Sequence, residues 1–91
     1  MFYIISYDIP DNKRRIKLSK SLLDFGNRVQ YSVFEANLDN LLFTKMLKRI
    51  KKIIDEHEDS VRIYKLCATC EKDIQLLGRG EIHQEKDVYI L

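Results

Sequence analysis

The residues that most constrain this chain are the seven at positions 2–8, FYIISYD, because they are apolar on both sides of any strand they form. Aromatic and β-branched residues of this kind favour a β-strand. Side chains alternate along a strand, which gives each face of the sheet its own apolar set. These sets are Tyr3, Ile5 and Tyr7 on one face and Phe2 and Ile4 on the other. Both faces of this strand therefore need to be covered.

Cap and turn residues divide the rest of the chain into a short series of helices and strands. Asp11 can cap a helix that Gly26 ends. Asp39 or Asn40 can cap a second helix, whose apolar residues recur every three or four positions as far as His57. The predicted elements are a strand at 2–8, a helix at 11–25, one bent strand or two short ones at 29–38, a helix from 39 or 40, a strand at 61–67, and short extended segments at 74–77 and 88–91.

This order of elements predicts an α+β fold of the ferredoxin-like type, β-α-β-β-α-β, with two helices on one face of an antiparallel sheet. We assign residues 1–77 to that domain and residues 78–91 to a C-terminal segment with an extra strand. Since two helices cover only one sheet face, a second copy of the chain is expected on the other, as a homodimer. The last strand is expected to add to the partner subunit's sheet edge.

Charged residues are segregated along the chain, although the net charge is only +2. Five cations and no acid lie between Lys13 and Lys20, and five more cations without an acid lie between Lys45 and Lys52. Clusters of one sign fit a polyanionic partner such as nucleic acid. Two ordinary solvated helix faces explain them equally well.

Nothing in the sequence indicates a secreted or membrane-bound protein. No apolar run approaches the ~20 residues of a membrane span, and the N-terminus lacks the basic leader of a signal peptide. We therefore expect a cytoplasmic protein with no membrane partner. Cys67 and Cys70 are too few for a disulfide framework. We expect a structural role for this Cys-x-x-Cys pair, because a redox pair would lie between a strand and a helix.

Asp8 is the most informative candidate for chemistry. It ends the first strand in phase with Ile4 and Ser6, so its side chain is predicted to point away from the helices. Across a twofold axis on that face, two Asp8 carboxylates would repel each other unless a divalent cation lay between them. Mg²⁺ needs only one or two carboxylates besides water and phosphate oxygens. The alternative is an aspartate that accepts backbone N–H bonds at the following turn.

Arg15 falls within the apolar stripe of the first helix, near the end of the strand that carries Asp8. An inward guanidinium there could hold a phosphate or steady the acidic site. The alternative is a side chain with its stem on the core and its head in water. Farther along, Arg28 and Phe34 lie in phase with polar residues on one side of the strand region, which is a weak pattern for phosphate and base contacts.

Several segments of the chain occur together in a known family. They are Tyr7-Asp8-Ile9, the basic start at 11–15, the string VQYSVFE at 29–35, the strand at 62–66 and the Leu-Gly-Arg-Gly-Glu loop. With these segments the chain resembles the small CRISPR-associated endonucleases, the second of the two universal adaptation proteins and the partner of the CRISPR integrase. The similarity runs nearly end to end, and the VQYSVFE string is its most specific part.

The resemblance implies a ferredoxin-like homodimer in which Asp8 binds Mg²⁺, or Mn²⁺ as an alternative, at the interface. It implies metal-dependent cleavage of single-stranded RNA or double-stranded DNA, and an adaptation complex in which the dimer bridges two integrase dimers and holds the new DNA segment. The positions that match the family's basic and aromatic residues are Tyr7, Arg14 or Arg15, Arg28 and Phe34.

Two functions from different classes follow. As an enzyme, the protein would use Asp8 and its metal to hydrolyse phosphodiesters, with Arg15 and Arg28 positioning the backbone. As a scaffold, it would hold duplex DNA on its Lys/Arg faces while the integrase supplies the chemistry. Three cations of the second helix are the expected phosphate contacts, namely Lys48, Arg49 and Lys52. We favour the scaffold as the physiological role and keep nuclease activity as the second hypothesis.

Overall fold

A computed structural model describes residues 1–79 of the chain as a single sheet with helices packed against it. The elements are β1 (Phe2–Asp8), α1 (Asn12–Leu22), β2 (Asn27–Gln30), β3 (Val33–Asn37), α2 (Asn40–Ile53), β4 (Ser60–Leu66) and α3 (Ala68–Lys72). The strands lie in the order β2-β3-β1-β4, and neighbouring strands are antiparallel. The predicted ferredoxin-like fold is confirmed. The predicted strand at 88–91 lies outside the described residues.

The core lies between the helices and one face of β1. Tyr3, Ile5 and Tyr7 are buried there, as their alternation along the strand predicts. The helical side chains in the same cluster are Leu18 and Leu22 of α1 and Met46 and Ile50 of α2. Tyr3 also stacks on Phe43 of α2, with ring centroids 4.4 Å apart. The face of β1 that carries Ile4, Ser6 and Asp8 is not part of this cluster.

Both long helices are capped by aspartates: Asp11, as predicted, and Asp39, one of the two predicted candidates. The Asp11 carboxylate accepts a hydrogen bond from the Arg14 N–H at 2.9 Å, and Asp39 accepts one from the Leu42 N–H at 2.8 Å. These bonds satisfy N–H groups that have no partner inside the helix. Helix α2 ends at Ile53, so the prediction that His57 continues its apolar face is wrong, and His57 is exposed. Within the described residues, no helix is long and apolar enough to cross a membrane.

The end of α1 differs from the prediction. The helix stops at Leu22 rather than near residue 25, and the Leu22 carbonyl accepts hydrogen bonds from the N–H groups of Phe25 and Gly26. Because the chain leaves the helix there, Leu23 points outward and is 60% exposed. Gly26 does not have a positive φ. A Cβ at this position would lie 2.7 Å from the Ala36 Cβ and closer still to the Glu35 carbonyl oxygen.

The segment after β4 also differs from the prediction. A short helix, α3, follows the strand, and residues 74–77 form no strand. Cys67 caps α3, with its sulfur accepting a hydrogen bond from the Cys70 N–H at 3.4 Å. The expectation that this pair does not lie between a strand and a helix was therefore wrong. The backbone hydrogen bond from Cys70 lowers the pKa of the Cys67 thiol, and the hydrogen bond with Cys67 raises the pKa of Cys70.

The close approach of Gly26 to β3 predicts the effect of a single added methyl group. Replacing Gly26 with Ala should lower the free energy of unfolding by about 1–3 kcal/mol, because the β3 backbone has to move away from the new Cβ. Urea denaturation measures this change. The neighbouring Asn27→Ala change, at an exposed position of β2, should stay within about 0.5 kcal/mol of wild type. Equal stability of the two variants would contradict this account of Gly26.

Candidate nucleic-acid interface

Asp8 ends β1 on the sheet face that the α1 and α2 core cluster does not cover, as predicted. It lies opposite Ser60, the first residue of β4, and is exposed. A cavity of about 270 Å³ opens beside it. The residues that line the cavity are Ser6, Tyr7, Asp8, Ser60, Arg62 and Tyr64. The site therefore combines one carboxylate, one guanidinium and several hydroxyl groups.

The donor set beside Asp8 fits a hard cation rather than a soft metal. Within residues 1–79, no three His, Cys, Asp or Glu side chains are grouped as metal ligands. This chain therefore offers a cation at Asp8 one carboxylate and neighbouring hydroxyl oxygens. Such a sparse oxygen set suits Mg²⁺, whose coordination is usually completed by water and substrate phosphates. It does not suit Zn²⁺, which prefers a closed set of nitrogen and sulfur ligands.

Arg14 holds the start of α1 to the segment before β4. Its Nε and Nη2 donate to the two carboxylate oxygens of Asp59 at 2.8 and 3.1 Å, and Nη2 also donates to Glu58 at 3.0 Å. The Asp59 side chain is 0% exposed and accepts a further bond from the Asp55 N–H at 2.8 Å. The Arg14 guanidinium is therefore occupied within the chain.

The same contacts shift the pKa values of Asp59 and Arg14. The hydrogen bond from Arg14 holds the pKa of Asp59 below its ordinary value, against the opposing effect of burial. The hydrogen bond to Asp59 raises the pKa of Arg14 further above its already high value. Both groups remain charged at neutral pH, so the pair acts as a permanent link between the two segments.

Arg15 is half-buried and binds its own helix start rather than a carboxylate. Its Nη1 donates to the carbonyl oxygens of Ile9 and Pro10, at 2.9 and 3.4 Å, and its Nη2 donates to the side chain of Asn12. These contacts tie the turn after Asp8 to α1. The guanidinium is thus directed at backbone carbonyls and at Asn12 rather than at the Asp8 carboxylate.

Arg28 is the centre of an aromatic cluster at the β2–β3 hairpin. It lies opposite Phe34 in the strand register. Its guanidinium carbon is 5.5 Å from the Phe34 ring centroid and 5.8 Å from that of Tyr31, distances at which a cation is attracted to a ring face. Its Nη2 is 3.5 Å from the Tyr7 hydroxyl, which in turn donates to the Tyr31 carbonyl oxygen at 3.5 Å.

The residues of this cluster differ in burial, with two in the core and two at the surface. Phe34 is 1% exposed and Tyr7 is 4% exposed, so neither ring presents a face to a nucleic acid. They contact the Arg28 guanidinium from the core side, and Arg28 itself is exposed. Tyr31, which the sequence reasoning missed, is 74% exposed at the turn of the hairpin. Its place between two short β-type segments marked it as a turn residue, and turn residues are often available for contacts.

The cations of α2 divide into exposed lysines and a paired arginine. Lys48 and Lys52 are exposed. Arg49 forms an ion pair with Asp24, and its guanidinium carbon lies 4.9 Å from the Phe25 ring centroid. The exposed lysines of both long helices are Lys13, Lys17, Lys20, Lys45, Lys48, Lys51 and Lys52. Because α1 and α2 contact each other on one sheet face, these lysines share one side of the molecule.

The β4 residues that line the cavity were also not predicted as site residues from the sequence. Ser60, Arg62 and Tyr64 are alternate residues of a strand that was predicted at nearly these bounds. Their spacing places them on one face. The antiparallel pairing with β1, which brings that face beside Asp8, follows only from the sheet order β3-β1-β4. The ferredoxin-like topology could have supplied that order.

The chain is similar to known proteins in both sequence and structure. Residues 1–74 match the family described as CRISPR associated protein Cas2. The chain is 41% identical over 93 residues to CRISPR-associated endoribonuclease Cas2 1 of Chloroflexus aurantiacus, with 100% of both chains covered. It superposes on the crystal structure of Streptococcus pyogenes Cas2 with a TM-score of 0.76 and 34% identity, covering 86% of this chain and 100% of the other.

A further solved structure is a chain of a partial Cas6-RT–Cas1–Cas2 complex. The TM-score is again 0.76, with 31% identity over 99% of this chain and 98% of that chain. The similarity therefore covers the described residues in both sequence and three-dimensional structure.

The Arg14–Asp59 pair predicts an acid-dependent loss of stability. Because the folded-state pKa of Asp59 is lowered, its charge stabilises the fold above the unfolded-state pKa of about 4, and this contribution is lost as the pH falls through the lower folded value. The Asp59→Asn variant should melt at a lower temperature at pH 7 and lose less stability on acidification. Thermal denaturation from pH 7 to pH 3 measures both effects.

A matched control for this prediction is Asp24→Asn, which removes the exposed ion pair with Arg49. Exposed pairs contribute about 0–1 kcal/mol, so this variant should differ little from wild type. If both variants give the same pH profile, Asp59 does not stabilise the fold in the way its contacts indicate.

Proposed function

The chain belongs to the Cas2 family of CRISPR-associated proteins, and from this premise we propose that it is a homodimeric adaptation protein that holds DNA for the integrase in the cytoplasm of a prokaryotic cell. The CRISPR adaptation role follows from the family and from the similarity to a chain solved in a Cas1–Cas2 complex. The observation that carries the DNA-holding role is the set of seven exposed lysines on α1 and α2, which we call the lysine face. Bridging of two integrase dimers is part of the proposal.

The lysine face has the chemistry of a sequence-independent DNA contact. None of its seven lysines forms an ion pair within the described part of the chain, so their charges are available to phosphates. Lysines bind phosphate as flexible point charges and do not read base edges. A scaffold that accepts new DNA segments of any sequence requires contacts of this kind.

The homodimer is supported by the sheet face that the long helices leave uncovered. Ile4 is half-buried on that face, and its cross-strand neighbour Tyr64 is 49% exposed. A second copy packed across this face would remove both apolar side chains from water. Asp8 ends β1 on the same face, so the two copies of Asp8 would lie near the shared axis.

The second candidate function is metal-dependent hydrolysis of a phosphodiester, and the cavity at Asp8 is the observation that favours it. Asp8 would hold a Mg²⁺ or Mn²⁺ ion through its carboxylate. A divalent cation bound there supplies stabilisation of phosphate charge and acidification of bound water. The hydroxyl groups of Ser6 and Ser60 line the same cavity and can orient water or phosphate oxygens.

Duplex DNA binding should depend steeply on salt and little on base sequence. Lys48→Glu combined with Lys52→Glu should weaken binding to every duplex, and the plot of log Kd against log salt should become shallower by about 1 for each phosphate that the variant no longer neutralises. Fluorescence anisotropy with two unrelated duplexes measures both effects.

The control variant combines Lys65→Glu with Lys72→Glu, which changes the net charge by the same amount outside α1 and α2. Equal weakening by the two double variants would mean that net charge acts rather than the lysine face. Binding that survives high salt in wild type would contradict phosphate contacts altogether.

The Asp8→Asn change tests the metal hypothesis, because it keeps the side-chain size and removes one charge from each subunit. Wild type should gain thermal stability with Mg²⁺ as the ion relieves repulsion between the carboxylates, and Asp8→Asn should not. Metal-dependent cleavage should be lost, and analytical ultracentrifugation should show the same dimer for Asp8→Asn as for wild type. The exposed Glu56→Gln change is the matched control and should behave as wild type. Identical responses of wild type and Asp8→Asn to Mg²⁺ would exclude Asp8 as a metal ligand.

A further inference from the structure

Arg62 differs from the arginines described above because it lies in the Asp8 cavity and forms no ion pair with any residue of the described range 1–79. Arg14, Arg15, Arg28 and Arg49 are each held by carboxylates, carbonyls or aromatic rings of the same chain. Among the described residues, no hydrogen bond or ion pair is formed by the Arg62 guanidinium. It is exposed and lines the 270 Å³ cavity together with Asp8.

The strand register explains why Arg62 and Asp8 share this cavity. Arg62 pairs with Ser6, and Ser60 pairs with Asp8, so Arg62 and Asp8 are diagonal neighbours on the same sheet face. Diagonal neighbours in an antiparallel pair have Cα atoms about 7–8 Å apart, within reach of a long side chain. The guanidinium nevertheless does not bond to the carboxylate, and the cavity that both groups line has room for a ligand.

The cavity has the chemistry of a phosphate site. A guanidinium presents parallel N–H donors that match two phosphate oxygens. The hydroxyl groups of Ser6 and Ser60 can donate further hydrogen bonds. The Asp8 carboxylate by itself repels a phosphate, so a phosphate can lie beside it only if positive charge compensates. Arg62 supplies such charge from the same cavity.

We propose that Arg62 is a phosphate-binding residue of the Asp8 site, which holds one phosphodiester of a nucleic-acid backbone beside that carboxylate. Asp8 is the last residue of β1 and Ser60 is the first of β4, so the cavity lies at the end of this strand pair. A strand of nucleic acid can reach it there while a second copy packs on Ile4 and Tyr64. The proposal rests on the proposed nucleic-acid function and adds a contact apart from the lysine face.

The variant Arg62→Gln tests this proposal, with Arg62→Lys as the conservative replacement and Lys65→Gln as the control on the same strand. Affinity is measured in EDTA, with a duplex and with a single-stranded RNA as probes, across a salt series. Removing one charge-assisted hydrogen-bonding partner should weaken binding of the preferred probe about tenfold to a hundredfold and reduce the salt slope by about 1. Lys at position 62 should restore part of the affinity and the slope, and Lys65→Gln should be without effect.

The other role open to Arg62 is an ion pair with an acidic residue of the second copy, and sedimentation separates the two. A dimer that dissociates in Arg62→Gln would overturn the phosphate assignment, as would unchanged affinity with the dimer intact. If Lys48→Glu with Lys52→Glu weakens binding but Arg62→Gln does not, only the Arg62 proposal fails. If wild type binds neither probe, the proposed function and the Arg62 proposal both fail.

Discussion

The central position of β1 is the constraint on which the rest of this structure depends. The strand is bonded on both edges, to β3 and to β4, so every second residue has to be accommodated on each face of the sheet. The helices pack against Tyr3, Ile5 and Tyr7 on one face. The opposite face carries Ile4, Ser6 and Asp8 and therefore combines an apolar patch with a carboxylate. The core and the candidate site are thus the two sides of one strand.

Much of this fold could be predicted because local signals and topology agree. Asp11 was recognised as a cap, Asp39 was one of two candidates for the second cap, and the order of the elements was sufficient for the ferredoxin-like topology. The errors lie where tertiary contacts decide. Helix α1 ends at Leu22, and Gly26 then closely approaches β3, a contact that no local propensity indicates. The helix at Ala68–Lys72 is shorter than any periodic pattern can reveal, and the cap at Cys67 is an unusual one.

The candidate site was predictable in its carboxylate and much less so in its arginines. Charge counting treats Arg14, Arg15, Arg28 and Arg49 alike, but the structure gives each a different partner. Those partners are distant in sequence for Arg14 and Arg49 and are not visible in any local window. The lysines have no such partners within residues 1–79, which fits their longer, strongly hydrated side chains. The basic clusters of the sequence therefore resolve into arginines that organise the fold and lysines that face solvent.

Two aspartates show how burial distinguishes a structural carboxylate from one that remains available. Asp59 is enclosed, accepts bonds from Arg14 and Asp55, and has a lowered pKa because those donors favour its charged form. Its hydrogen-bonding capacity is satisfied within the chain, so it has little left for a ligand. Asp8 is exposed at the edge of a cavity, and the arginine diagonal to it does not neutralise it. Because Asp8 and Arg62 lie near each other without pairing, both groups are free to contact a ligand in the cavity. In the proposed phosphate site, the guanidinium would bind the phosphate oxygens and the carboxylate would remain open to a cation beside them.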